Sequence, residues 1–140
     1  MSVAEAANRA IDLSRKVRDY YAAELPKRHP NYPLVGLDEE SVPPPPEEME
    51  LRDFFATLSE DTIYQLILIM YLGRGDFGTD DLADYYETLN DTFVDPNHAV
   101  SQMMDKAPLA DYLADGIEEL RKHNIKVDRM PLKRVKVRKR

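Results

Sequence analysis

The chain has 140 residues, ten prolines, five glycines and no cysteine. A globule of that length fits one domain and buries roughly 68–70% of the surface its unfolded chain exposes, so its fold needs no disulfide or metal. The missing cysteines exclude disulfides, thiolate zinc sites and thiol nucleophiles.

Net charge is −7, but it is unevenly spread. Residues 1–120 hold nine Lys/Arg against twenty-five Asp/Glu, or −16, whereas residues 121–140 hold ten Lys/Arg against Asp128 alone, or +9. An acidic body with a basic tail is the sharpest feature of the composition. The start of the chain has no positive segment followed by an apolar one, so no secretory leader is expected. The longest apolar run, Leu66 to Leu72, is too short to span a bilayer. A soluble, cytoplasmic protein without a membrane partner is the expectation.

Apolar residues recur with a period of about 3.6, which predicts an all-α fold. The first helix is predicted over residues 4–25, its stripe formed by Ala6, Ala10, Leu13, Val17 and Tyr20 facing the body. Residues 26–46 hold seven prolines and end in Pro43-Pro44-Pro45-Pro46. Prolines at this density fix φ and remove backbone donors, so an extended, polyproline II-like connector is predicted.

A helical core domain is predicted over residues 47–124. Glu47 and Glu48 suit the positive end of a helix that carries Leu51, Phe54, Phe55 and Leu58 on one side. Ser59 is placed to cap the next helix, which from Ile63 to Leu72 is apolar on nearly every face, with only Gln65 plainly polar. A helix apolar all round is a buried one, so this is the expected centre, with about five helices in all. Gly73 is read as its left-handed C-cap. Thr79 then opens a helix with Leu82, Tyr85, Tyr86 and Leu89 on one face. Asp95-Pro96 opens another with Ala99, Val100, Met103 and Met104 inward, and Pro108 opens the last, with Leu109, Tyr112, Leu113, Ile117 and Leu120 as its stripe. Gly116 falls on that stripe, which predicts close approach of another backbone. From residue 125 the pattern dissolves into a basic tail, 125–140.

The segments Glu50-Leu51-Arg52-Asp53-Phe54, Leu58-Ser59-Glu60-Asp61, Leu72-Gly73-Arg74-Gly75-Asp76-Phe77 and Pro108-Leu109-Ala110-Asp111-Tyr112-Leu113 with Gly116 resemble a bacterial family of domains of unknown function, number 3775. The resemblance is strongest over residues 50–120. It implies a helical domain and carries no activity, cofactor or site residue with it.

Several constellations invite a functional reading. Arg74-Gly75-Asp76 spells an adhesion tripeptide, but after a buried helix it reads better as a turn in which Arg74 complements the helix dipole and pairs with Asp76 or Asp111. Arg74, Asp76, Asp111 and Tyr112 together form the candidate polar or interaction cluster. Asp76 to Glu87 has twelve residues, like a calcium loop, yet Gly78 stands where a ligand belongs and Asp81 where the turn needs glycine. His29, His98 and His123 lack metal-ligand spacing, Ser14, Ser59 and Ser101 lack a nucleophile's context, and there is no phosphate-binding glycine loop. No catalytic residue, metal or cofactor is therefore assigned, and the enzyme reading leans to no. A small enzyme or calcium binder using residues 76–87 is the third alternative. The tetraproline has no neighbouring arginine and reads as a stiff spacer.

Two functional classes remain. A protein-interaction module is the first, with an unknown protein partner met through an apolar strip around Met103, Met104, Tyr85 and Tyr86. The second is a nucleic-acid-associated protein whose tail supplies Arg129, Lys133, Arg134, Lys136, Arg138, Lys139 and Arg140 to phosphates. The sequence leaves the oligomeric state open.

Overall fold

The computed structural model describes residues 1–28, 43–93, 95–106 and 108–130. Among these residues six helices follow in order: α1 (Val3–Arg28), α2 (Pro46–Ala56), α3 (Glu60–Arg74), α4 (Leu82–Thr92), α5 (Pro96–Met104) and α6 (Leu109–Lys122). Single 3-10 turns lie at Thr79–Asp81 and Val127–Arg129, and the described residues contain no strand. Most of the expected connector, residues 29–42, and the tail from residue 131 lie outside the described residues.

The centre is α3. Ile63, Tyr64, Leu66, Ile67, Leu68, Ile69, Met70 and Leu72 are all buried, because α1, α4, α5 and α6 surround the helix. Burying an apolar side chain of this size contributes about 1.5–3 kcal/mol, so a helix apolar on every face is stable only when covered on every face. Ser59 caps it as expected, its hydroxyl accepting from the Thr62 N–H at 3.2 Å.

Its C-terminus differs from the sequence reading. The helix continues through Gly73 to Arg74, and Gly75 is the left-handed cap, with φ +92° and its N–H donating to the carbonyls of Tyr71 and Leu72. Gly73 stays helical and serves a different purpose, the crossing with α6. Gly116 meets the expectation of close approach: a Cβ there would stand 2.2 Å from the Ile69 carbonyl oxygen.

The outer helices bury the predicted stripes with small shifts. On α1, Ala6, Ala10 and Leu13 face the core, joined by Ala7 and Ile11, while Val17 and Tyr20 lie beyond the fully covered section. The helix starts in a reciprocal capping box: Ser2 Oγ accepts from Glu5 N–H at 3.1 Å and Glu5 Oε1 from Ser2 N–H at 2.9 Å. Asp95 caps α5 through the His98 N–H at 3.0 Å, with Pro96 at its first position. Thr79 opens a 3-10 turn, and α4 proper begins at Leu82.

Where the sequence pattern dissolves, the chain remains on the body through Met130. Ile125 and Val127 are half-buried against the core and Met130 is 1% exposed. Gln65, the one plainly polar residue between Ile63 and Leu72, donates to the Met130 carbonyl at 2.7 Å. Asp128 accepts the Ala4 N–H at 2.9 Å, adding a carboxylate to the positive end of α1.

Candidate functional site

The four residues of the expected polar cluster separate into two places. Arg74 turns back on Asp76 in a two-pronged contact, Nε to Oδ1 at 3.1 Å and Nη2 to Oδ2 at 2.7 Å. The guanidinium also lies 4.9 Å from the centre of the Tyr71 ring. The hydrogen bond to Asp76 raises its pKa, so it stays charged throughout the accessible range. Phe77 stacks on Tyr85 at 4.1 Å, and Tyr85 meets Tyr71 edge-on at 6.2 Å. This knot fixes the turn between α3 and α4. Asp111 belongs elsewhere: it accepts from Arg18 of α1 at 2.9 Å. Tyr112 contributes its backbone carbonyl to the approach of Gly73.

The apolar strip expected around Met103, Met104, Tyr85 and Tyr86 is not an exposed face. Met103 is fully buried and the two tyrosines are half-buried on the core. Met104 is half-buried as well, and its accessible edge lies inside a groove.

That groove has a volume of about 470 Å³ and lies where the far half of α1 leans over α2 and the α5–α6 turn. From α1 come Ser14, Val17, Arg18, Tyr21, Ala22 and Leu25, and from α2 Glu48, Leu51 and Arg52. Met104, Asp105, Lys106 and Leu109 close the other wall. The buried positions of α1 end at Ser14, and Val17, Tyr21 and Leu25 beyond it are only partly covered and line the opening.

Three polar contacts brace the walls. Tyr21 donates its hydroxyl to Glu48 Oε1 at 2.8 Å, tying α1 to α2. Burial first, and the Glu48 carboxylate second, push that hydroxyl's pKa up to about 12. Arg18 is held by Asp111, and Lys106 by the Gln102 side-chain oxygen at 3.1 Å.

Two wall charges, Arg52 and Asp105, have no side-chain hydrogen bond or ion pair among the described residues. Ser14 is the single buried non-aromatic polar side chain among them, 6% exposed, and no partner of its hydroxyl is found there. No group of three His, Asp or Glu side chains among the described residues is arranged to hold a metal. No helix among them is long and apolar enough to cross a membrane.

The arrangement of α2–α6 can be compared with known families. The family model described as a protein of unknown function, DUF3775, matches residues 48–121, just over half of the chain. The chain belongs to this family. Comparison with curated proteins and with solved structures gave no match. The DUF3775 segment spans α2 almost entire, α3, α4, α5 and most of α6, while α1 lies outside it. The groove is thus built by the DUF3775 unit on one side and by α1 on the other.

None of the groove was legible as a site in the sequence. Its lining comes from segments up to ninety-five residues apart, Ser14 to Leu109, and only Arg52, Leu51 and Leu109 fall in the motifs that carried the resemblance. One signal was available: a serine on the inward face of α1, flanked by Leu13 and Val17, is a polar residue where the pattern calls for an apolar one.

Proposed function

We infer that this DUF3775 protein is a non-enzymatic helical interaction module that receives a protein partner in the groove between α1 and the family unit. The observation that supports the reading is the groove itself. It presents an apolar floor of Leu51 and Leu109, flanked by half-buried Leu25 and Met104, beneath charged walls. Apolar anchors in a cleft with polar rims are the usual anatomy of a recognition surface. The knot at Arg74 and Asp76, by contrast, is satisfied within itself.

Affinity capture from native lysate, with and without nuclease, tests this reading. Wild type is expected to retain a nuclease-resistant protein partner that Leu25→Asp and Met104→Asp lose while keeping native circular dichroism. Capture that survives both substitutions would place the interaction elsewhere.

A second reading rests on the charge distribution. Residues 121–140 carry +9, and Arg129 stands exposed at the last described turn. A cluster of this kind binds phosphates by counterion release, and the −16 of residues 1–120 opposes a polyanion, so weak, strongly salt-dependent and sequence-indifferent binding is expected. Binding to duplex DNA or RNA that is unchanged by deletion of residues 131–140 would remove this reading.

A further inference from the structure

Residues 124–130 bring the chain back onto α1. Asn124 ends α6 in the left-handed conformation, with φ +60°, and the N–H groups of Asn124 and Ile125 donate to the carbonyls of Arg121 and Leu120 at 3.0 and 2.9 Å. Asparagine adopts this conformation more readily than most residues, so the helix ends in a defined turn and does not fray. Past the turn, Asp128 accepts the Ala4 N–H at 2.9 Å. Met130 then enters the core, 1% exposed, and its carbonyl accepts from Gln65 of α3 at 2.7 Å. One short segment is thus fastened to α1, α3 and α6 together.

The hold of α1 itself is slight for its length. Its buried positions end at Ser14, about half-way along 26 residues, and three of the six apolar ones are Ala6, Ala7 and Ala10, with a single methyl each to bury. The ion pairs Arg9–Glu50 and Arg18–Asp111 join α1 to its neighbours at exposed positions. Pairs of this kind contribute little. Both α1 and residues 124–130 lie outside the 48–121 match, so they are two additions to the DUF3775 unit that fasten to each other.

We propose that residues 124–130 are a clasp on which the docking of α1 depends: opening it undocks α1 and removes one wall of the groove, while α2–α6 stay packed. The groove is then present only in the clasped form. This holds whether or not a partner occupies the groove, because it rests on the contacts of the clasp and not on the chemistry of the opening. The basic segment 131–140 leaves from Met130, the buried end of the clasp, so the device stands between that segment and α1.

Hydrogen–deuterium exchange of the full chain, read by mass spectrometry, tests this. In wild type, residues 3–14 and 124–130 are expected to open together and well ahead of α3 and α6. Met130→Ser should speed exchange in both segments by the same factor, about tenfold or more. Gln65→Met removes the bond to the Met130 carbonyl but keeps a side chain of similar size, and should speed both segments by a smaller common factor. It decides the matter alone if Met130→Ser does not fold. A second readout separates undocking of α1 from fraying of its turns. The chain has no cysteine, so Ala10→Cys supplies a single thiol on the buried face of α1, with Ala99→Cys on α5 as its control. The thiol at position 10 should react with a disulfide reagent faster than that at 99, and about tenfold faster again when Met130→Ser is added. Faster exchange confined to 124–130, with α1 unchanged, would mean that α1 is docked by its own contacts, and the clasp falls. Equal protection of α1, α3 and α6 in wild type would make α1 part of one cooperative unit and overturns the proposal as well.

Discussion

Gly73 of α3 and Gly116 of α6 meet backbone to backbone: a Cβ on Gly73 would stand 2.6 Å from the Gly116 nitrogen and 1.8 Å from the Tyr112 carbonyl oxygen. The reciprocal contact is as close, since a Cβ on Gly116 would meet the Ile69 carbonyl at 2.2 Å. Real Cβ atoms do not approach backbone so nearly, and backbone has no rotamer with which to yield. The α3–α6 crossing, the largest helix–helix interface among the described residues, therefore depends on two missing side chains. Gly73→Ala and Gly116→Ala should each destabilise by about 2 kcal/mol or more, at the upper end of overpacking effects, by pushing the helices apart. Gly75 is the internal control. Its φ of +92° strains any other residue, but nothing lies within 4 Å of its Cβ position, so Gly75→Ala should cost about 1 kcal/mol. Urea unfolding of the three variants checks the order. A larger effect at Gly75 than at Gly73 would make the turn, and not the crossing, the critical feature.

Leu66 sits near the middle of α3 and is 0% exposed. An aspartate there would be a buried charge without a partner, with a penalty of several kcal/mol against a typical total stability of about 5–15. Leu66→Asp should abolish the cooperative melting transition. Retention of native circular dichroism and of the wild-type midpoint would refute burial of the helix on all sides.

Such a helix is legible in the sequence because burial leaves a mark on every position from Ile63 to Leu72 except Gln65. Gly116 is legible for a related reason, since a glycine within an apolar stripe of a helix has no local purpose. Gly73 misleads because a capping glycine and a packing glycine look alike when the helix end is near. With Gly75 two residues on, either glycine satisfies the capping rule, and only the approach of α6 decides which does. The role of Gln65 depends on the Met130 carbonyl, and that of Asp128 on the start of α1; contacts spanning 65 and 124 residues leave no local pattern to read. The capping box at Ser2 and Glu5 does have a local spacing, but the hydrophobic period, which sets the predicted start at residue 4, is blind to it.

The start of α1 offers the next test. Its first turn is held by Ser2 and Glu5 from within and by Asp128 from the returning chain. Ser2→Ala should cost about 1 kcal/mol, as the loss of a cap usually does. Asp128→Ala should cost about 0.5–1 kcal/mol through loss of a charge at the helix dipole, and Asp128→Asn less, because the acceptor is kept. Urea midpoints at low and high salt separate the two contributions. If Asp128→Ala is neutral, residues 125–130 are not fastened to α1 through this carboxylate.

The Tyr21–Glu48 hydrogen bond makes the groove wall sensitive to alkaline pH. Tyr21 has a folded-state pKa of about 12 against an ordinary value of 10.0, raised chiefly by burial and then by its bond to the Glu48 carboxylate. A raised pKa means the folded chain holds the proton longer than the unfolded one. The stabilisation is therefore complete below about pH 10 and is lost progressively as pH rises through about 12. Burial raises Tyr64, Tyr71 and Tyr86 as well, so wild type should lose stability over this range through several tyrosines together. Tyr21→Phe isolates one share of that loss. At neutral pH it should cost about 0.5–1.5 kcal/mol, the usual net worth of a hydrogen bond, because Glu48 can turn to water. Between neutral pH and pH 12 its urea midpoint should then fall less than that of wild type, since one proton fewer is at stake. Ultraviolet titration of tyrosinate in the folded chain gives a second readout, in which the variant lacks one late-ionising hydroxyl. Equal falls in the two midpoints would mean that Tyr21 ionises alike in the folded and unfolded chain, and that its hydroxyl does not fasten α1 to α2.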